Sequence, residues 1–163
     1  MATFSMLDIE HRARQMLEAE AGLPLQVPVD VERIVRQRGG SVEVRFEGYR
    51  DPESLHVAED GSFTVFVPSN TSMVRDRFTI AHELGHFVLH HDHEANSPAS
   101  FQRYGRSRRE TEANAFAGAL LMPADLFKDA WRRLDGNLWA VAREFQVSQS
   151  AADVRCQVLG LAR

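Results

Sequence analysis

Two imidazoles and a carboxylate stand in an H-E-x-x-H spacing at His82-Glu83-Leu84-Gly85-His86. On a helix, residues four apart share one face, with Cβ atoms about 5–6 Å apart, so His82 and His86 can converge on one metal ion. Glu83 lies about 100° around the helix from His82, beside the two ligands rather than in line with them. Its carboxylate can then accept a proton from a water molecule on the metal. The pattern predicts a centre for metal-assisted hydrolysis.

The residues around this motif are apolar, which is typical of a helix buried on nearly every side. They are Phe78, Ile80, Ala81, Leu84, Phe87, Val88 and Leu89. An H-E-x-x-H pattern also arises by chance, but buried His and Glu side chains require partners. A metal ion would provide those partners, so the apolar setting favours the metal interpretation.

A catalytic zinc ion usually has three protein ligands, so a third residue must come from outside the motif. His90 follows His86 by one turn and would lie about 6 Å further along the helix axis, which suits a shared tetrahedral site poorly. Glu110 is the better candidate because it lies in a second predicted helix rich in small residues. Asn114, one turn after Glu110, is placed to hydrogen-bond a ligand histidine and fix its orientation.

Two other interpretations of this second helix stay open. Ser107 and Glu110 are three residues apart, as in a capping box, where Glu110 would reach back to the helix start instead of a metal. Glu112 is a rival metal ligand, although it points to a different face from Asn114.

The hydrophobic pattern predicts an α+β fold in which a small antiparallel sheet precedes the motif helix. The predicted helices cover 6–20, 30–38, 72–90, 108–121, 123–134, 138–145 and 148–159, and the predicted strands cover 42–46, 54–58 and 63–67. We expect one metal-binding domain over 1–134 and a helical C-terminal segment over 135–163, packed on that domain. The last two helices outline a helix-turn-helix.

The stretch 91–107 is polar and irregular, and it leaves the motif helix next to the expected metal. A loop in this position can act as a lid or contact substrate. Hydrolysis of an amide also needs a group that stabilises the developing oxyanion. His90, His93 and Tyr104 are the candidates, and the sequence does not choose among them.

Composition narrows the classes of protein to which the chain can belong. With 163 residues it forms one domain with at most a small appendage, and its net charge of −4 argues against a dedicated nucleic-acid binder. Its single cysteine excludes an internal disulfide and a cysteine-rich zinc site, and fits a reducing compartment. No apolar run approaches the ~18 residues of a membrane span. We therefore expect a cytoplasmic protein.

Three segments together resemble the ImmA/IrrE family of metallo-endopeptidases: HELGHFVLHH from His82, ETEANAFA from Glu110, and LLMP from Leu120. The resemblance is specific across 78–123. It implies a minimal zincin fold with one zinc ion per chain, bound by His82, His86 and Glu110, and Glu83 as the base. It also implies a bacterial or phage protein that cleaves a DNA-binding repressor or an antitoxin-type regulator during stress or mobile-element induction.

The sequence thus predicts a zinc-dependent endopeptidase with a repressor-type protein substrate. The alternative is a transcriptional regulator, or a module that binds a repressor without cutting it, in which the metal is structural or sensory. The would-be recognition helix has no basic residue before Arg155, so it offers few positive charges for contacts with DNA phosphates.

Overall fold

Seven α-helices and a three-stranded sheet make up the part of the chain that the computed structural model describes, residues 4–46, 54–91 and 108–161. The helices are α1 (Met6–Met16), α2 (Val31–Gln37), α3 (Met73–His86), α4 (Arg108–Leu121), α5 (Ala124–Arg133), α6 (Leu138–Phe145) and α7 (Gln149–Val158). The strands are β1 (Gly40–Arg45), β2 (Leu55–Val57) and β3 (Phe63–Pro68). The α+β class is confirmed, and every predicted helix and strand is present within a few residues of its expected bounds.

The sheet is mixed rather than antiparallel, so that part of the prediction is wrong. Its order is β1-β3-β2, with β1 parallel and β2 antiparallel to β3. The reason lies in the side chains of β3, where Phe63, Val65 and Val67 are all buried, so this strand gains most from a central place. Val44, by contrast, is 56% exposed on the outer strand β1. The predicted hairpin between β2 and β3 is confirmed, and its turn contains Gly61 at a φ of +85°.

Helix α3 carries the H-E-x-x-H motif and lies against both the sheet and α4. It begins after Ser72, whose side chain accepts a hydrogen bond from the Arg75 amide and caps the helix. Beyond His86 the backbone continues as one π-helical turn, Phe87–His91, so the predicted helix ends where expected but in a wider form. A similar turn, Leu17–Ala21, extends α1.

The two long helices α3 and α4 approach each other closely because small residues face each other between them. A Cβ placed on Gly85 of α3 would come within 3.1 Å of the Ala113 backbone on α4. The small residues Gly85 and Ala113 therefore permit this close packing. Gly118 is different, since nothing lies within 4 Å of a Cβ at that position.

The C-terminal helices share the hydrophobic core of the rest of the chain. Phe127 of α5 stacks obliquely on Phe145 of α6, with ring centroids 5.3 Å apart. Arg77 of α3 donates hydrogen bonds to the Gln146 carbonyl at 3.3 Å and to the Val29 carbonyl at 2.9 Å. The division of the chain at 134 and 135 stays a prediction. Within the described residues, no helix has the length and apolar character that crossing a membrane requires.

Candidate metal centre

Side chains of α3 and α4 converge at the motif. The Nε2 atoms of His82 and His86 lie 3.1 Å apart. The Glu110 carboxylate closes the group, with Oε1 2.9 Å from His86 Nε2 and Oε2 3.2 Å from His82 Nε2. These three residues could hold a metal ion.

The donor set fits a small divalent cation. Two imidazole nitrogens and a carboxylate oxygen form a common three-ligand set for catalytic zinc. Tetrahedral bonds of about 2.0–2.1 Å separate ligand atoms by roughly 3.3 Å, close to the 2.9–3.2 Å observed here. The ligands are also partly open, since 38% of the Glu110 side chain and 16% of the His82 side chain are exposed. The site is therefore open to solvent on the side of these two residues.

Asn114 contacts the far nitrogen of one ligand. Its Oδ1 lies 2.8 Å from His82 Nδ1, one turn beyond Glu110 on α4. An amide oxygen can only accept, so Nδ1 of His82 carries the proton and Nε2 is left with a lone pair for a metal. The close approach of the helices at Gly85 allows α4 to present both residues to α3.

Glu83 lies beside the ligands and is buried, with 7% of the residue exposed. The Ser54 hydroxyl donates a 2.6 Å hydrogen bond to its Oε1. Burial raises the pKa of Glu83, although the hydrogen bond from Ser54 acts in the opposite direction. A carboxylate with a raised pKa is a better proton acceptor at neutral pH than one on the surface.

A second set of contacts lies behind His86, on the side away from Glu110. The Nδ1 atoms of His86 and His90 are 3.2 Å apart, and His90 Nε2 is 3.0 Å from Oε2 of Glu112. The other oxygen of Glu112 accepts hydrogen bonds from Arg108 Nε at 2.9 Å and from the Phe4 amide at 3.3 Å. His90 and Glu112 are each 5% exposed.

Burial acts strongly on the ionisation of His86. It lowers the pKa of this imidazole to about 3, helped by the positive charges that His82, His90 and Arg109 can carry. His86 is therefore neutral at physiological pH, which is the form that binds a metal. Burial alone would raise the pKa of Glu112, but the hydrogen bonds from His90, Arg108 and Phe4 together lower it.

The predicted site residues take different places. His82, Glu83, His86, Glu110 and Asn114 come together. His90, a candidate for oxyanion contact, is instead directed at His86 and Glu112, away from the ligand atoms. Glu112, the rival ligand, is not part of the group that could hold a metal ion, which consists of His82, His86 and Glu110. His93, Tyr104 and the proposed cap Ser107 lie outside the described residues.

Sequence reasoning missed three contributors: Ser54, Phe4 and the pairing of His90 with Glu112. The spacing of four from His86 to His90 did signal a shared helix face. No comparable signal marks Ser54 or the Phe4 amide, because the first is a single hydroxyl directly before β2 and the second acts through its backbone.

An apolar groove of about 550 Å³ begins beside Asn114 and runs between α4 and α7. Phe78 and Gly118 form part of its lining, and Val154 and Val158 of α7 line it with 56% and 47% of their surface exposed. The groove thus continues from a residue that contacts a metal ligand to a row of accessible apolar side chains.

Comparisons with known proteins agree with this architecture. The profile of the IrrE N-terminal-like domain, Peptidase M78, matches residues 33–157, which confirms the family resemblance. Comparison with curated protein sequences gives no match. Among solved structures, a Mycobacterium tuberculosis transcriptional regulator is similar at 22% identity with a TM-score of 0.65. The match covers 93% of this chain and 46% of the regulator, so the chain spans about half the regulator's length.

Proposed function

The chain belongs to the IrrE N-terminal-like domain family, and on this basis we propose that it is a zinc-dependent endopeptidase. The family includes metallopeptidases and regulators. The observation that carries the proposal is the convergence of His82, His86 and Glu110 next to the buried carboxylate of Glu83. A purely structural metal would not need a base beside it, nor ligands open to solvent.

The chemistry follows from these side chains. Zinc held by His82, His86 and Glu110 would supply Lewis-acid chemistry, lowering the pKa of water and polarising the scissile carbonyl. Glu83 accepts the proton of the attacking water as the new C–O bond forms. It then gives that proton to the leaving nitrogen as the C–N bond breaks, so one water molecule yields a carboxylate and an amine. Ser54 holds one carboxylate oxygen and keeps Glu83 in a single orientation.

The groove beside Asn114 supports a polypeptide as the substrate. A chain that crosses the metal centre can place an apolar side chain between α4 and α7, where Val154 and Val158 are accessible. Burial of such a side chain contributes about 1.5–3 kcal/mol to binding. We propose a DNA-binding repressor or an antitoxin-type regulator as the substrate, the class that the ImmA/IrrE resemblance implies, with cleavage in the cytoplasm.

The alternative of DNA binding by the C-terminal helices is less well supported. Arg155, the first basic residue of α7, is 3% exposed. Its guanidinium donates to the Met122 carbonyl at 2.9 Å and pairs with Glu10 of α1. A side chain so engaged is not available to contact phosphate, and the likeness to a regulator at 22% identity supports the fold alone.

A comparison of wild type with Glu83→Gln tests the proposal. Because Gln has no basic carboxylate, we expect the variant to retain about one zinc ion per chain and to lose cleavage. New protein N-termini are mapped by mass spectrometry in bacterial cells that express either form, and metal content is measured on the purified proteins. Cells with the wild type should contain new N-termini in a DNA-binding regulator, and cells with Glu83→Gln should not.

Glu59→Gln, in the exposed turn before β3, is the matched control and should cleave like wild type. Cleavage by a zinc-replete Glu83→Gln protein would eliminate this mechanism.

A further inference from the structure

The contacts behind His86 form a continuous chain across the buried side of the metal centre. They run from His86 through His90 to Glu112, and end at the amide of Phe4 and the guanidinium of Arg108. None of these four partners lies among the proposed ligands. Phe4 lies outside residues 33–157, the part of the chain that matches the family profile.

The donors Phe4 and Arg108, at the end of the chain away from the metal centre, determine the direction of each hydrogen bond. A backbone amide and a guanidinium can only donate, so Oε1 of Glu112 accepts from both Phe4 and Arg108. The second oxygen of an ionised carboxylate also accepts, which requires a proton on Nε2 of His90. In the neutral form of His90, Nδ1 then has a lone pair, which can accept a hydrogen bond from Nδ1 of His86.

This chain leaves His86 with its proton on Nδ1 and a lone pair on Nε2. Nε2 is the atom that faces His82 Nε2 at 3.1 Å and Glu110 Oε1 at 2.9 Å. The hydrogen bonds that satisfy Glu112 therefore also suit metal binding. A metal on Nε2 of His86 requires a proton on Nδ1 and an acceptor for that proton. The opposite order would place a proton where the metal must bind.

We infer that His90 and Glu112, anchored by Arg108 and the Phe4 amide, are positioning residues that hold His86 in its metal-binding tautomer. The inference rests on the proposed metal centre and adds a role for the N-terminal segment in it. Asn114 does the same for His82 through a single contact. His86 uses a longer chain because its Nδ1 faces the buried side chain of His90, which in turn contacts the buried carboxylate of Glu112.

An isosteric substitution at Glu112 should reverse the direction of the hydrogen bonds from Glu112 to His86. In Glu112→Gln, the amide oxygen faces the donors Phe4 and Arg108, so the amide NH₂ points at His90. His90 Nε2 must then accept, its Nδ1 donates, and His86 is driven to the tautomer with a proton on Nε2. We expect the zinc affinity of this variant to fall by about 10–100-fold, the usual effect of removing a partner of a ligand histidine.

The experiment measures zinc affinity by competition with a chromophoric chelator. Glu32→Gln is the control for loss of one charge, since Glu32 is 57% exposed on α2 and far from His90 in sequence. His90→Phe keeps a ring of similar size but has no ring nitrogen, and should also lose about 10-fold or more. Thermal unfolding of the metal-free proteins identifies any variant that does not fold, and the other variant then carries the test.

A second readout separates positioning from simple packing. Nitrogen-15 NMR of the zinc-loaded wild type should show the proton of His90 on Nε2 and an unprotonated Nδ1. A proton on Nδ1 of His90, or zinc affinities within about two-fold of wild type in folded Glu112→Gln and His90→Phe, would overturn the inference and leave the proposed function intact. Failure of the wild type to bind zinc would overturn both.

Discussion

Each of two faces of α4 carries a glutamate, but the two glutamates differ in exposure and in the groups they contact. Glu110 and Glu112 are separated by one residue, yet 38% of the Glu110 side chain is exposed and only 7% of the Glu112 side chain. Glu110 shares its face with Asn114 and Gly118, which border the open groove. Glu112 shares its face with Phe116, which is fully buried.

This difference shows why only one of the two carboxylates suits a metal. Both oxygens of Glu112 accept hydrogen bonds, from Phe4, Arg108 and His90, so a metal at Glu112 would have to displace these donors. Glu110 instead directs its oxygens at the Nε2 atoms of His82 and His86. One face of α4 thus forms the reactive site, and the other holds that site in place.

Separate removal of the Glu110 and Glu112 carboxylates should give the largest difference between the two faces of α4. Glu110→Ala takes away a ligand and should weaken zinc binding by more than about 100-fold, whereas Glu112→Ala removes only a supporting partner and should cost about 10–100-fold. Equilibrium dialysis against zinc, with folding checked by circular dichroism, gives the ranking. The reverse order would make Glu112 the ligand.

Acid should destabilise the metal-free protein through His86, which contacts both faces of the site. Its pKa is about 3 in the folded state and near 6.5 when unfolded. Between these values the unfolded chain binds more protons, so the free energy of unfolding falls as the pH drops from 6.5 to 3, by on the order of a few kcal/mol.

Urea denaturation across this pH range measures the effect. His86→Asn lacks the titrating group, so its free energy of unfolding should depend less steeply on pH than that of the wild type. An equal slope in both proteins would show that burial of His86 does not control the acid sensitivity.

Gly→Ala at two positions compares the packed contact between α3 and α4 with the open face of α4. In Gly85→Ala the new methyl group meets the Ala113 backbone at 3.1 Å, so we expect a loss of about 1–3 kcal/mol in the free energy of unfolding. Gly118→Ala meets nothing within 4 Å and improves the helix propensity of α4, so we expect a gain of about 0.5–1 kcal/mol. Urea denaturation of the metal-free proteins compares them, and effects of the same sign would contradict the assignment of open and packed faces.

Local features of the site could be predicted from the sequence because they depend on helix geometry. The spacing of His82 and His86 defines one helix face, and the spacing of Glu110 and Asn114 defines another. The apolar residues around the motif also indicated correctly that this helix is buried.

Long-range features could not be predicted in the same way. Val42 and Val44 alternate with charged residues on β1, which is typical of a half-buried strand. Alternation does not say whether another layer covers the apolar face, and Val44 is exposed. The order of the strands depends on which strand is most apolar on the side that the helices cover. The link from Phe4 to Glu112 spans 108 positions and uses a backbone amide, which every residue but proline has.

X-ray diffraction at the zinc absorption edge, on crystals of the zinc-soaked protein, would show where the metal binds. We expect one anomalous peak among His82 Nε2, His86 Nε2 and the Glu110 carboxylate, with Glu83 beside it and Glu112 still bonded to His90. A peak at Glu112 and His90, or no peak on α3 in fully soaked crystals, would contradict the account.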